Sequence, residues 1–168
     1  MKLLYAPWRQ KYAGSADETK SSTTSTDECI FCKHIQSSDD EQHGILKRFK
    51  HCVVMLNKFP YNAGHVLILP TEHKATLDKL SQEVRAELME ATSLSDKIIT
   101  KALGAEGMNI GMNIGKAAGA GIPSHLHIHL LPRWQGDTNF MPTVGQTKVI
   151  SFDMNDIYKK LKNAFENE

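Results

Sequence analysis

The sequence predicts an α+β fold: an antiparallel sheet, one long helix and a C-terminal helix. Three observations predict it: two apolar runs joined by a turn-forming segment, a long apolar stripe of helical period, and a run in which histidine alternates with leucine and isoleucine. The order strand, strand, long helix, strand, strand, helix is typical of this class rather than of a doubly wound sheet. A chain of 168 residues, 40% hydrophobic and 23% charged, suits one globular domain.

The first two strands are expected to form an antiparallel pair. "CVVMLNKF" (52–59) and "HVLILP" (65–70) are both β-rich, and "PYNAG" (60–64) between them is a typical turn segment. Pro70 is expected to end the second strand, because proline cannot donate to the ladder.

The long helix is predicted from Ser81 to Leu103. Ser81 is a suitable N-cap and Gly104 a suitable stop. A second amphipathic helix is predicted from about Asp153. The apolar stripes consist of Val84, Leu88, Ala91, Ile98 and Ala102 in the first helix, and of Ile157, Leu161 and Phe165 in the second.

Two further strands are predicted between these helices. "MNIGMNIGK" (108–116) is the first, and a loop of small residues, "AAGAGIPS" (117–124), follows it. "HLHIHLL" (125–131) is the second, and Pro132 is expected to end it.

Composition limits the domain organisation and the partners. "GSADETKSSTTSTDE" (14–28) has no large apolar residue and predicts a flexible linker, so we divide the chain into an N-terminal segment with linker (1–28) and a main domain (29–168). A net charge of +1 argues against nucleic acid as a partner, and no apolar run is long enough to cross a membrane. Three cysteines do not suggest a secreted disulfide framework, which favours a cytoplasmic protein.

His125, His127 and His129 lie on one face of the predicted strand, and the leucine and isoleucine residues between them lie on the other. The apolar face belongs to the core, so the histidine face is expected to open on a polar environment. Three interpretations are open: surface histidines without further function, a catalytic zinc site of three imidazoles, and nucleophilic attack by one imidazole on phosphorus.

Cys29 and Cys32 form a CxxC motif at the start of the main domain. In a cytoplasmic chain such a pair is more often metal-binding or redox-active than a structural disulfide. Thioredoxin-like redox chemistry requires a βαβ setting and a helix that begins at the motif, and the sequence predicts neither here.

These motifs together resemble the histidine triad family. "HLHIHLL" followed by Pro132-Arg133 is similar to the triad signature of its Fhit-like branch. "NKFPYNAGHVLILP" (57–70) resembles the ribose-binding hairpin of the family, and "GMNIG" (111–115) resembles its phosphate-binding approach. "PRWQGDTNF" and an N-terminal "APWR" resemble the bacterial diadenosine tetraphosphate phosphorylase-like members in particular. The resemblance covers about residues 29–140.

The resemblance implies a HIT-like fold with about five antiparallel strands, and a catalytic role for two histidines. His127 would be the nucleophile that takes a nucleoside monophosphate as a covalent phosphoramidate. A backbone carbonyl beside the first histidine, His125, would hold the Nδ1–H of His127, so that Nε2 attacks. His129 would contact the α-phosphate or the bridging oxygen and help the leaving group to depart.

The resemblance also implies nucleotide contacts. Asn57 would bind the ribose hydroxyls, Asn113 the phosphate, and the backbone N–H of Gly121 the phosphate oxygens. Where the family often has a hydroxyl residue this chain has Ile122, so Ser124 is the candidate substitute. Turn or loop chemistry is the alternative for the two asparagines.

Some bacterial members hold zinc with two cysteines and two histidines, and the matching residues here are Cys29, Cys32, His73 and His125. The resemblance implies a structural zinc ion that steadies the first histidine, and a homodimer whose sheets join. His34, His43 and His51 are competing ligands in weaker positions.

The function implied is a nucleotide hydrolase or transferase acting on dinucleoside polyphosphates. Water or inorganic phosphate as the second acceptor remains open. The alternatives are a Hint-type nucleoside phosphoramidase, which usually has Gly-Gly where this chain has Pro132-Arg133, and a nucleotide-binding regulatory module without turnover.

Overall fold

A five-stranded antiparallel sheet forms the centre of the protein, seen in a computed structural model that describes residues 29–139, 141–147, 149 and 152–168. The strands lie side by side in the order β1-β2-β3-β5-β4, and every neighbouring pair is antiparallel. The predicted α+β class is confirmed, whereas the predicted N-terminal segment and linker lie outside the described residues. The strands are β1 (Ile45–Arg48), β2 (Cys52–Leu56), β3 (Val66–Pro70), β4 (Gly107–Met112) and β5 (Ile128–Arg133).

The long helix has the ends that its capping residues predict. The Ser81 hydroxyl accepts a hydrogen bond from the N–H of Val84 at 3.2 Å, and Gly104 has the left-handed φ of 63° that ends the helix. None of the described helices is long and apolar enough to span a bilayer. The helices are α1 (Ile30–Gln36), α2 (Asp40–His43), α3 (Gln82–Leu103), α4 (Met141–Val144) and α5 (Met154–Glu166), with 3-10 turns at Leu77–Lys79 and Lys116–Ala118.

The two faces of the sheet are covered by different helices. Helices α3 and α5 pack on one face, where Leu126, Ile128 and Leu130 join the main hydrophobic core as predicted. Helix α1 packs on the other face, where Phe31 meets alternate residues of β2 and β3, including Leu67. The histidines therefore face the side of the sheet on which α1 lies.

The histidine strand begins later than the sequence predicts. β5 starts at Ile128, so His125 and His127 lie in the segment before it, and His129 is the one triad residue within the strand. The reason is that β3 ladder pairing begins only where Ile128 lies opposite Ile68. The preceding strand is also shorter than predicted, because β4 ends at Met112 rather than Lys116.

The prediction that Pro132 ends this strand is wrong. The pairing with β3 stops at Leu130, which lies opposite Val66, the first residue of β3. Pro132 therefore has no partner residue in β3. The Pro132 carbonyl points to that side and accepts a hydrogen bond from Asn62 Nδ2 at 3.0 Å. Because the nitrogen and carbonyl of one strand residue point to the same side, proline loses no ladder bond here, and β5 continues to Arg133.

A helix at the CxxC motif and an edge strand are among the elements that the sequence pattern does not predict. Helix α1 begins directly at the motif, with Cys29 as its N-cap residue. The four-residue strand β1 was not predicted. Both elements are too short to carry a periodic apolar pattern, and packing on the sheet stabilises them. A βαβ setting for redox chemistry is still absent from the described sheet, since all its pairs are antiparallel.

Candidate functional site

A cavity of about 490 Å³ lies on the α1 side of the sheet. Five of the residues predicted to bind nucleotide line it, whereas Ser124 is not among its lining residues. Most of the other lining side chains are apolar, so the expectation of a polar environment for the histidine face is wrong; α1 and the β2–β3 hairpin supply the apolar wall. The predicted residues at the cavity are Asn57, Asn113, Gly121, His127 and His129.

The His127 side chain is oriented by the backbone of the residue two positions before it. Its Nδ1 lies 2.8 Å from the carbonyl oxygen of His125. A carbonyl can only accept, so Nδ1 carries the proton and Nε2 carries the lone pair. The imidazole is 6% exposed, and its burial lowers its pKa, with the bond to the carbonyl opposing that effect. His127 is therefore a neutral imidazole whose Nε2 has the lone pair that a nucleophile needs.

The tautomer of His129 follows from hydrogen bonds that pass through His65. The backbone N–H of Tyr61 donates to Nδ1 of His65 at 3.1 Å, so that nitrogen is an acceptor. Nε2 of His65 then carries the proton and donates to Nδ1 of His129 at 2.9 Å. His129 in turn carries its own proton on Nε2. An N–H donor of this kind suits an oxygen on which negative charge develops.

His65 determines the tautomer of His129, although no sequence motif predicts a role for it. His65 has no exposed surface, and burial lowers its pKa to about 3, with the nearby histidines His129 and His127 adding to that effect. It lies two residues before Leu67, which pairs with His129 across the two strands. Diagonal neighbours of this kind are within reach of a ring side chain, but finding them requires the strand register.

Asn57 combines local turn chemistry with a place at the cavity. Its Oδ1 accepts a hydrogen bond from the N–H of Phe59 at 3.0 Å, and its Nδ2 lies 3.2 Å from Nδ1 of His65. The two alternatives left open by the sequence therefore occur together at this residue. Asn113 and Gly121 lie on the segment between β4 and β5 and also line the cavity.

Four side chains with metal-ligand chemistry meet at the start of the histidine segment. The possible ligand atoms of Cys29, Cys32, His73 and His125 all lie within 4.8 Å of one another. Cys32 Sγ lies 3.2 Å from Nδ1 of His73 and 3.5 Å from Nδ1 of His125, and Cys29 Sγ lies 3.5 Å from the same His125 nitrogen.

Two local features bring these residues together. Cys29 and Cys32 are three residues apart at the start of α1, a spacing that places both side chains on one helix face. The N–H of Leu126 donates to the carbonyl of Lys74 at 2.7 Å and so ties the segment after β3 to the histidine segment. His73 and the first triad histidine are thereby brought side by side.

His125 points its Nδ1 at the thiols because its other nitrogen is engaged. Nε2 lies 2.9 Å from the carbonyl oxygen of Pro70 and must be the donor. A second hydrogen bond of this kind orients a histidine that binds metal. Burial lowers the pKa of His125 to about 4, so its imidazole is neutral, as a metal ligand must be.

The four side chains fit a zinc ion by donor chemistry and by spacing. Tetrahedral zinc with thiolate and imidazole ligands places neighbouring donor atoms about 3.3–3.8 Å apart. The three sulfur–nitrogen contacts of 3.2–3.5 Å lie close to that spacing. Burial raises the pKa of the Cys32 thiol to about 11, and Cys29 adds to the effect, so a bound cation would have to displace thiol protons. The competing histidines proposed from the sequence, His34, His43 and His51, lie outside this group.

Three known proteins are similar to the chain in sequence or fold. It is 32% identical over 168 residues to an AP-4-A phosphorylase of Mycobacterium tuberculosis, covering 100% of this chain and 86% of that protein. It is 30% identical over 93 residues to an asymmetrical bis(5'-nucleosyl)-tetraphosphatase of Schizosaccharomyces pombe, covering 55% of this chain and 50% of that protein. A zinc-bound histidine triad family protein of Mycobacterium smegmatis shares the fold, with a TM-score of 0.69, 24% identity, and coverage of 85% of this chain and 96% of that chain.

The family assignment rests on a match longer than any single motif. The HIT domain model matches residues 39–136, more than half of the chain. That range contains the hairpin, the long helix and all three histidines of the segment. The full-length similarity to the phosphorylase agrees with it. The chain therefore belongs to the HIT, or histidine triad, family.

Proposed function

We propose that this chain cleaves dinucleoside polyphosphates, such as diadenosine tetraphosphate, through a covalent nucleotidyl intermediate on His127. The observation that carries the proposal is the bond between His127 Nδ1 and the His125 carbonyl, which leaves the lone pair on Nε2 at the cavity. The similarity of the whole chain to an AP-4-A phosphorylase supports the choice of substrate class.

In the first step, Nε2 of His127 attacks the α-phosphorus of the bound substrate. A P–N bond forms, and the P–O bond to the remaining nucleotide breaks. The Nε2–H of His129 donates to the departing or bridging oxygen and stabilises its charge. Asn57 would bind the ribose, while Asn113 and the Gly121 N–H would contact phosphate oxygens.

In the second step, an acceptor attacks the same phosphorus and the P–N bond breaks, which restores neutral His127. Water as the acceptor produces a nucleoside monophosphate, and inorganic phosphate produces a nucleoside diphosphate. We propose phosphate as the acceptor, because the full-length relative is a phosphorylase and the "PRWQGDTNF" and "APWR" motifs resemble that group. Pro132-Arg133 after the triad disfavours the phosphoramidase alternative.

We further propose that Cys29, Cys32, His73 and His125 hold a structural zinc ion. Four protein ligands leave no open coordination position, so the ion would supply rigidity and no reaction step. Support comes from the spacing of the donor atoms and from the zinc-bound structural relative. The reduced thiols that such a site requires favour a cytoplasmic location.

A homodimer through the edge of the sheet is the proposed assembly. β4 is an edge strand, and Ile110, Met112 and the following Ile114 are 50%, 36% and 42% exposed. An exposed apolar edge strand is suited to pairing with another strand. Analytical ultracentrifugation of the wild type and of an Ile110→Lys variant tests this: the variant should be monomeric.

The test of the reaction is to incubate the protein with diadenosine tetraphosphate, with and without inorganic phosphate, and to separate the products. ADP plus ATP that appear only with phosphate would support the phosphorylase. AMP plus ATP in both mixtures would identify water as the acceptor. Absence of cleavage in both mixtures would contradict the proposal for this substrate class.

A further inference from the structure

Two nitrogen-bearing side chains at the cavity have no part in the proposed reaction. His34 on α1 and Lys58 on the hairpin after β2 both line it. The ring of Phe31 packs against the His127 ring with 5.2 Å between centroids. His34 lies three residues after Phe31 on the same helix. That is one helical turn, roughly 5 Å along α1. His34 therefore lies farther from the nucleophile than Phe31 does, along the wall of the same cavity.

Neighbouring residues hold the ring of His34 in place and indicate which of its nitrogens carries the proton. It stacks on the ring of His43 with 4.4 Å between centroids and 24° between planes. Its Nδ1 is buried and, among the described residues, has no hydrogen-bond partner. Nothing among the described residues fixes a proton on this nitrogen, and a proton there would be a buried N–H without an acceptor, so we place the proton of His34 on Nε2. Nε2 is then the nitrogen with which His34 can meet a ligand.

His34 is also uncharged, because its surroundings lower its pKa. Burial lowers its pKa, and the neighbouring His43 and Lys58 lower it further. Lys58 itself has three N–H donors and no acceptor. Two side chains that carry hydrogen-bond donors thus line the cavity, together with apolar residues such as Ile30 and Phe59.

We propose that His34 and Lys58 read the base of the bound nucleotide and favour guanine over adenine. This inference rests on the proposed function. With phosphorus at His127 and the ribose at Asn57, the base extends between α1 and the hairpin. Guanine presents two acceptors, O6 and N7, on one edge, whereas adenine presents N7 beside an amino donor. The adenine amino group would face donors and remain unpaired.

The experiment compares kcat/KM for diguanosine and diadenosine tetraphosphate in matched variants. His34→Leu and Lys58→Met remove one donor each, and His34→Gln keeps a donor at the first position. Lys33→Met is the control, because Lys33 is an exposed residue of α1 that does not line the cavity. Thermal melting of each variant verifies that it is folded.

We expect kcat/KM of the wild type to be about fivefold or more higher for the guanosine substrate, which is the factor that one hydrogen bond contributes. His34→Leu and Lys58→Met should each bring the ratio towards one, His34→Gln should retain part of it, and Lys33→Met should leave it unchanged. A wild-type ratio at or below one, or a ratio that neither variant alters, overturns the inference.

Failure of the proposed function would look different, because neither substrate would then be cleaved. In that case the dissociation constants of GMP and AMP for the wild-type protein decide the base preference. Tighter binding of GMP, weakened by His34→Leu, would support it. Equal or weaker binding of GMP would refute it.

Discussion

The two ends of the histidine segment differ in what surrounds them. At one end, His125 is enclosed by two cysteine thiols, His73 and a backbone carbonyl. At the other end, His127 and His129 line a cavity, and the hydrogen bonds to their Nδ1 atoms leave the lone pair on Nε2 of His127 and the proton on Nε2 of His129. The same two-residue spacing thus produces a candidate metal ligand and two candidate catalytic groups. Neighbouring elements, and not the spacing itself, determine which role each histidine can take.

The two ends are nevertheless connected through a single residue. The imidazole of His125 belongs to the thiol and imidazole cluster, and its carbonyl holds the Nδ1–H of His127 at 2.8 Å. Movement of His125 would therefore change the orientation of His127.

Replacing His127 with Asn should abolish turnover at the cavity end and leave the metal end intact. We expect kcat to fall by at least about ten-thousandfold, roughly 5 kcal/mol, because no other group replaces the nucleophile. Nucleotide affinity and zinc content should remain within about twofold of the wild type, since the backbone carbonyl of His125 is unchanged. Steady-state kinetics, calorimetric titration and elemental analysis measure these quantities. His51→Asn, a surface histidine bonded to Glu83, is the control. Turnover within tenfold of the wild type would exclude His127 as the nucleophile.

Replacing Cys32 with Ser should disrupt the metal end directly and, through His125, also affect the cavity end. We expect bound zinc to be lost and the free energy of unfolding to fall by about 4 kcal/mol, which corresponds to a decrease in Tm of about 10 °C. Activity should also decrease, because His125 is no longer held. Elemental analysis and calorimetry provide the measurements. Cys52→Ala is the control, since Cys52 is a buried thiol of β2 outside the cluster. A wild-type protein purified without metal, with the same Tm as the variant, would contradict the zinc proposal.

Removing His65 should weaken catalysis without much effect on binding. In His65→Leu the ring of His129 loses the donor to its Nδ1, and we expect kcat to fall by about 10- to 100-fold with KM within about twofold. His65→Gln can still donate and should recover part of the rate. Equal loss in both variants, or a loss confined to KM, would assign His65 a purely structural role.

The same residue predicts the smallest effect, a dependence of stability on pH. The folded pKa of His65 is about 3, below the ordinary 6.5. Its contribution to stability is therefore complete above pH 6.5 and is lost as the pH falls towards 3, because the unfolded chain takes up the proton first. His65 should contribute about 1.4 kcal/mol per pH unit to the pH dependence of the free energy of unfolding between pH 6 and pH 5. The His65→Leu variant should lack this contribution. Urea unfolding at several pH values measures it, and parallel curves for the two proteins would contradict it.

The elements that sequence predicts best here are those with local end signals. The long helix begins after Ser81 and ends before Gly104, because a side-chain cap and a left-handed glycine act within one turn. The predicted limits of β5 were wrong at both ends, because its ladder with β4 runs from Ile128 opposite Met112 to Arg133 opposite Gly107. A strand boundary is a property of a pair of strands, so one strand alone does not reveal it.

The residues of the candidate site likewise divide into those that the sequence predicts and those that only the structure reveals. The histidine spacing, the CxxC motif and the hairpin asparagine were all visible in the chain, and each lies at the cluster or the cavity that the structure forms. His65 was visible as a residue but not as a partner of His129, since 64 residues separate them in sequence. Ser124 was expected at the cavity and is not among the residues that line it.

The sequence by itself determined the fold class, the capped long helix, the family and the residue types available for chemistry, because these depend on composition, period and short-range contacts. The tertiary structure alone decided that Nε2 of His127 has the lone pair, that His129 is a donor, and that His125 turns its Nδ1 to the thiols. Tautomers and ligand directions follow from single hydrogen bonds across distant segments, and those bonds exist only when the sheet brings the segments together.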